Sequence, residues 1–232
     1  MGERLARRVL FIGNSYTEGL RSALVHLVPP SLQYSTLIEF VTKGGKNLTW
    51  HWQHDDLKQK IAQGHWDYVV LQEQSQTPTL QGQLPYQGFV KVVGDFCQLI
   101  RDANAVPVLF MTWGARRGDR QHLKVSPDYW AMQDHLARAY REMARLNHTE
   151  LVPVGEAWAQ VRLKAPQLAD KCYQKDGHHP SAIGNYLSAS MFCRYLWQFN
   201  SLHLDTVKLS LMEKAIMQAA IDSTFKLERS TV

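Results

Sequence analysis

The chain has 232 residues, 45% of them hydrophobic and 20% charged, with a formal net charge of +5. This length and balance fit one folded α/β domain over residues 1–232 and exclude a disordered or fibrous chain. The basic residues are scattered except for Arg4/Arg7/Arg8 and Arg116/Arg117/Arg120; neither group is interleaved with aromatics, so both read as solvated faces rather than a nucleic-acid surface.

The first apolar run, Val9-Leu10-Phe11-Ile12, stops at Gly13-Asn14-Ser15. It predicts a strand over 9–13 and a helix over 20–27. Further strands are expected over 36–42, 68–72, 106–112 and 151–154. The runs at 68–71 and 108–111 are continuously apolar, as for strands buried on both faces of a parallel sheet. Between them Phe89, Val92, Val93, Phe96, Cys97 and Ile100 recur at helical spacing. Ser126-Pro127 reads as an N-cap followed by proline at the first helical position. Later helices are expected over 182–197 and 207–225, and an earlier one over 55–62. Strands alternating with helices predict a three-layer α/β/α fold, with a five-stranded, mostly parallel sheet in flavodoxin-like order. Ligands of such sheets bind beyond the carboxyl ends of the strands, and Ser15 stands at one of those ends.

A serine hydroxyl is a weak nucleophile unless a base takes its proton. The stretch "DGHHPSAIGNYLSA", residues 176–189, offers such a base. Asp176 and His179 lie three residues apart in a turn holding Gly177 and Pro180, where the carboxylate can reach the imidazole and orient it; the stretch taken alone reads better as an Asx-turn capping the next helix with His179 exposed. Two more strand-end loops, Lys43-Gly44-Gly45-Lys46 and Gln72-Glu73-Gln74-Ser75-Gln76, offer backbone N–H groups and side-chain amides to a developing oxyanion.

Gly13-Asn14-Ser15-Tyr16-Thr17-Glu18-Gly19 resembles the first sequence block of the SGNH, or GDSL-like, hydrolase superfamily. Asp176-Gly177-His178-His179-Pro180 resembles its last block, and Gly45 resembles its second-block glycine. The blocks occur in family order across residues 8–198. The resemblance implies a serine hydrolase cleaving carboxylic esters, with Ser15, His179 and Asp176 as the triad: a deacetylase of O-acetylated carbohydrate or, alternatively, a lipase- or thioesterase-type acyl hydrolase or a degenerate member that binds a ligand without turnover. It implies the N–H groups of Ser15 and Gly45 as oxyanion donors, a small-molecule ester substrate, and neither cofactor nor metal. The family's third block is usually Gly-x-Asn-Asp, and this chain has no asparagine there. Strand register points to Gln76 or Gln74 as the replacement donor. A likeness to the Gln-Gly-Glu block of some carbohydrate esterases in the superfamily points to Gln72.

Competing patterns are weaker. No G-x-G-x-x-G or phosphate loop occurs, and Thr17 stands where a G-x-S-x-G elbow needs glycine. His51, His54, His178, His179 and Asp176 could be drawn as a metal site, but "NLTWHWQHDD" reads as the start of an amphipathic helix with exposed histidines. Trp50, Trp52 and Tyr86 could stack on a sugar or simply pack. Cys97, Cys172 and Cys193 read as buried free thiols of a reducing compartment. No stretch approaches a membrane span, and no signal peptide is visible, so the sequence reads as cytoplasmic.

Overall fold

The computed structural model describes residues 7–28, 30–32, 35–200 and 207–230. Arg4, one of the expected basic cluster, lies outside the described residues. Strands β1 (Arg8–Gly13), β2 (Leu37–Thr42), β3 (Tyr68–Leu71), β4 (Val106–Phe110) and β5 (Glu150–Val152) form one sheet in the order β2-β1-β3-β4-β5. Every strand pair is parallel. This is the flavodoxin-like order, with its reversal at β1.

Side chains alternate across β1 and divide the core into two layers. Val9 and Phe11 face α1 (Ser15–Leu27), α6 (Val154–Lys164), α8 (Ala182–Trp197) and α9 (Leu211–Ser230). Leu10 and Ile12 face the other side, with α2 (Leu48–Trp52), α3 (Asp55–Gln63), α4 (Leu84–Asp102) and α5 (Tyr129–Leu146). A short α7 (Pro166–Lys171) follows α6. All four residues 9–12 are fully buried, as their continuous apolarity requires. The three cysteines are free and buried.

Several boundaries differ from the sequence expectation. Helix α1 starts at Ser15 rather than Leu20, because the Asn14 side chain accepts from the Tyr16 N–H at 3.1 Å and caps it early. Helix α5 starts after Asp128, whose carboxylate accepts from the Ala131 N–H at 2.9 Å. Ser126 is no cap: its backbone N–H and C=O close the preceding loop onto His122 and Asp119. Helix α9 starts at Leu211, where Ser210 and Glu213 exchange hydrogen bonds in a capping box. Helices α6 and α7 were not anticipated.

Candidate active site

Ser15 is the first residue of α1, so the turn out of β1 places it at the positive end of that helix. A buried glutamine braces the turn. The Gln72 side-chain carbonyl accepts from the Asn14 N–H at 2.9 Å and from the Thr17 hydroxyl at 2.8 Å. It passes so close to Gly13 that a Cβ there would collide with both Gln72 and Thr17. From the other side, the buried His51 ring donates through Nε2 to the Gly13 carbonyl at 2.8 Å. Burial holds the His51 pKa below its ordinary value, against the opposing pull of that carbonyl. His51 was expected to be exposed. It is buried because α2 lays it beneath the serine turn.

The returning loop brings in the other partners. Ser15 Oγ lies 2.9 Å from His179 Nε2, and His179 Nδ1 lies 2.8 Å from Asp176 Oδ2. The other Asp176 oxygen accepts from the backbone N–H groups of His178 and His179, at 2.9 and 3.0 Å. Gly177 makes this turn possible by taking φ +79°, a left-handed conformation that costs glycine little. Burial alone would raise the Asp176 carboxyl. The His178 N–H and the ring and N–H of His179 outweigh it and hold the group down at about 2. Asp176 is therefore ionised where His179 would need a counter-charge.

An aromatic stack that sequence reasoning missed supports the imidazole. Tyr16 meets His179 edge-on at 5.6 Å and stacks on Trp113 at 4.7 Å, and Trp113 stacks on Trp158 at 4.1 Å. Trp113 Nε1–H also donates to the His178 carbonyl at 3.1 Å, and the Arg116 N–H to that of Gly177 at 2.7 Å. The loop after β4 thus holds the Asp176–His179 turn in place. Its position at a strand's carboxyl end was the available signal.

The loop after β2 closes with a Lys46 N–H to Lys43 C=O bond at 3.1 Å, with Gly45 at φ +70°. It is tied to the serine turn twice: the Lys43 N–H donates to the Gly13 carbonyl and the Asn14 amide to the Lys46 carbonyl. The three glutamine amides are engaged elsewhere. Gln72 Nε2 donates to the Glu73 carbonyl, Gln74 Nε2 to Gln76 Oε1, and Gln76 Nε2 to Asp119 and Gln121. Glu73, also unforeseen, is fully buried and accepts from the N–H groups of Gln74 and Leu48 at 2.6 and 3.2 Å. Burial pushes its carboxyl up to about 8.

The other sequence candidates disperse. His54 bonds the Trp50 carbonyl at 2.9 Å, so it and His51 are not joined with the Asp176 turn. The ligand atoms of Asp176, His178 and His179 lie within 4.8 Å of one another, but Asp176 and His179 are hydrogen-bonded to each other there. Trp52 packs edge-on against Phe96, and Tyr86 donates to Glu142. Both thus serve the α4 side of the core.

The chain matches a candidate SGNH hydrolase from Slackia heliotrinireducens at 26% identity and a TM-score of 0.66, over 82% of this chain and 98% of that one. Its fold is that of the SGNH-like hydrolase superfamily. A DUF4886 family protein from Bacteroides uniformis shares the fold at 18% identity and a TM-score of 0.76, over 95% of each chain. The acetyl xylan esterase AlAXEase matches at 19% identity and a TM-score of 0.61, over 81% of this chain and 98% of that one. No protein-family model matches the chain, and no curated protein matches its sequence. No helix among the described residues is long and apolar enough to cross a membrane.

Proposed function

We propose that the protein is a serine esterase that cleaves small acyl esters, acetyl esters of carbohydrates foremost. The observation that carries this reading is the continuous Ser15–His179–Asp176 relay, at 2.9 and 2.8 Å. In the proposed mechanism Ser15 Oγ attacks the ester carbonyl while His179 Nε2 takes its proton. Asp176, bonded to Nδ1–H, fixes the tautomer and stabilises the imidazolium. The tetrahedral oxyanion is held by the N–H groups of Ser15, at the helix N-terminus, and Gly45. His179 then protonates the departing alcohol, and a water activated by the same ring releases the acid from Ser15. The third donor is proposed to come from Gln72, Gln74 or Gln76. Of these, Gln74 spends one amide N–H on Gln76 and Gln76 spends both on its neighbours, whereas Gln72 serves the serine turn.

Acetyl as the acyl group is supported by the fold shared with the acetyl xylan esterase and by the likeness of Gln72 to the Gln-Gly-Glu block of some carbohydrate esterases. The test is labelling by a fluorophosphonate, followed by hydrolysis of nitrophenyl esters of graded chain length and a panel of acetylated sugars. Labelling of wild type but not Ser15→Ala, with turnover steepest for acetate, is expected. Absence of both labelling and turnover would leave a ligand-binding protein. A preference for long chains would make the enzyme a lipase-type acyl hydrolase.

A further inference from the structure

The loops after β3 and β4 and the Asp176 turn enclose a groove of about 650 Å³, within the usual size of a ligand site. Its lining is cationic. Arg116, Arg117, Arg120 and Lys175 face it against two carboxylates, Asp119 and Asp176. Neither carboxylate is free to neutralise them. Asp119 is buried and bonds His122 at 2.6 Å, the Gln76 amide and the Gln121 N–H. Asp176 is spent on His178 and His179.

Arg116 is itself structural, with its guanidinium on the carbonyls of Asp170 and Gln174 and over the Tyr173 ring. Arg117, Arg120 and Lys175 are exposed and have no side-chain partner among the described residues. Several cations elsewhere on the surface are paired instead. Arg21, Lys58, Lys60, Lys91, Arg138 and Lys171 each hold a carboxylate within 2.9 Å. Three cations without a side-chain partner among the described residues line a groove beside the turn that carries His179.

The sheet order bears on which part of a substrate would lie there. Ser15 follows β1, the Gly45 loop follows β2 on one side, and the groove follows β3 and β4 on the other. An oxyanion directed at Gly45 leaves the rest of the ester pointing toward the groove. The groove wall includes the turn that carries His179, the group that must protonate the leaving alcohol.

We propose that the alcohol half of the substrate is anionic, bearing a carboxylate or phosphate that Arg117, Arg120 and Lys175 bind. The inference rests on the esterase reading above. A cleft walled by one sign of charge raises the local concentration and on-rate of an opposite-charged ligand by about 10- to 10³-fold, and guanidinium groups suit both anions.

The test compares acetate release from acetylated glucuronic acid, acetylated glucose 6-phosphate and acetylated glucose. The kcat/KM ratio of either acidic sugar to the neutral one should be about tenfold or more. It should shrink as salt is raised from about 0.01 to about 1 M, which cuts the screening length from about 30 to about 3 Å. In an Arg117→Gln/Arg120→Gln/Lys175→Gln variant the ratio should fall toward one. Taking the ratio within each variant cancels any loss of folded enzyme. Lys124→Gln, which removes a charge outside the groove lining, should leave the ratio unchanged. The glucuronate and phosphate arms separate the two anion types. A ratio near one in wild type, or one the triple variant keeps, overturns the proposal. Failure of wild type to cleave any ester, nitrophenyl acetate included, overturns the esterase reading instead. Even then, a thermal-shift titration of Ser15→Ala with glucuronate and glucose reads the groove without turnover: equal shifts overturn the anion site.

Discussion

Ser15, His179 and Asp176 form a hydrogen-bonded chain, and in the mechanism proposed above each member acts through the next. Removing either Ser15 or His179 by alanine substitution should therefore cost on the order of 10⁶ in kcat, and removing both should cost little more. Asp176→Asn leaves the nucleophile but disturbs the tautomer, so a loss of about 10⁴ is expected. His178→Ala should retain far more activity, because His178 lies 3.5 Å from Asp176 and 4.4 Å, ring to ring, from His179, but it is His179 that bonds the serine. Additive losses for Ser15 and His179 in a double-variant comparison would contradict the relay. Gln72 presents a different case. Its buried carbonyl serves two donors of the serine turn, Asn14 N–H and Thr17 Oγ1. Gln72→Ala strands both, and a stability loss of about 1–3 kcal/mol is expected by denaturant unfolding. An unchanged midpoint would show that water replaces the amide.

At the scale of elements, helix ends decide where the functional residues stand. Asn14 caps α1 one residue before Ser15, which puts the serine N–H among the unpaired donors of a helix N-terminus. Asp128 caps α5, and α5 carries Gln133, whose amide carbonyl accepts from Gly114 N–H at 2.9 Å and steadies the loop after β4. Asp128→Ala should cost about 1 kcal/mol in thermal or chemical unfolding. Ser126→Ala should cost nothing through capping, since the Ser126 side chain caps no helix. Equal losses would mean that the helix begins where the Ser126-Pro127 pattern placed it. At α9 the capping box was present in the sequence as Ser210-x-x-Glu213 but lay inside a run read as helix from residue 207. The pattern alone could not say that the helix waits for the cap.

For the whole molecule, the buried Glu73 couples stability to pH. Its folded-state value of about 8 lies above the ordinary 4.5. Between those values the folded protein keeps a proton that the unfolded chain releases, so the stabilisation present below about pH 4.5 fades as pH rises toward 8. The slope is at most about 1.4 kcal/mol per pH unit. Glu73→Gln should flatten this part of the Tm-against-pH curve, and parallel curves would disprove the shift. Asp176 has the opposite sign, and its contribution is lost only as pH falls toward 2. The sequence by itself determined the parallel sheet, because continuous apolar runs such as 9–12 and 68–71 have no solvated face to offer. The spacing of Asp176 and His179 was legible as well, but that turn alone read better as a cap for the next helix, and only its resemblance to a family block marked the pair. What only the tertiary structure decided was the supporting frame: Gln72 under Gly13, His51 beneath the serine turn, Glu73 on Leu48, and Trp113 behind His179. These contacts join residues dozens of positions apart. Their hydrogen bonds and stacking arise only when the sheet lays the carboxyl ends of β1 to β4 side by side, and no local period or propensity records that adjacency.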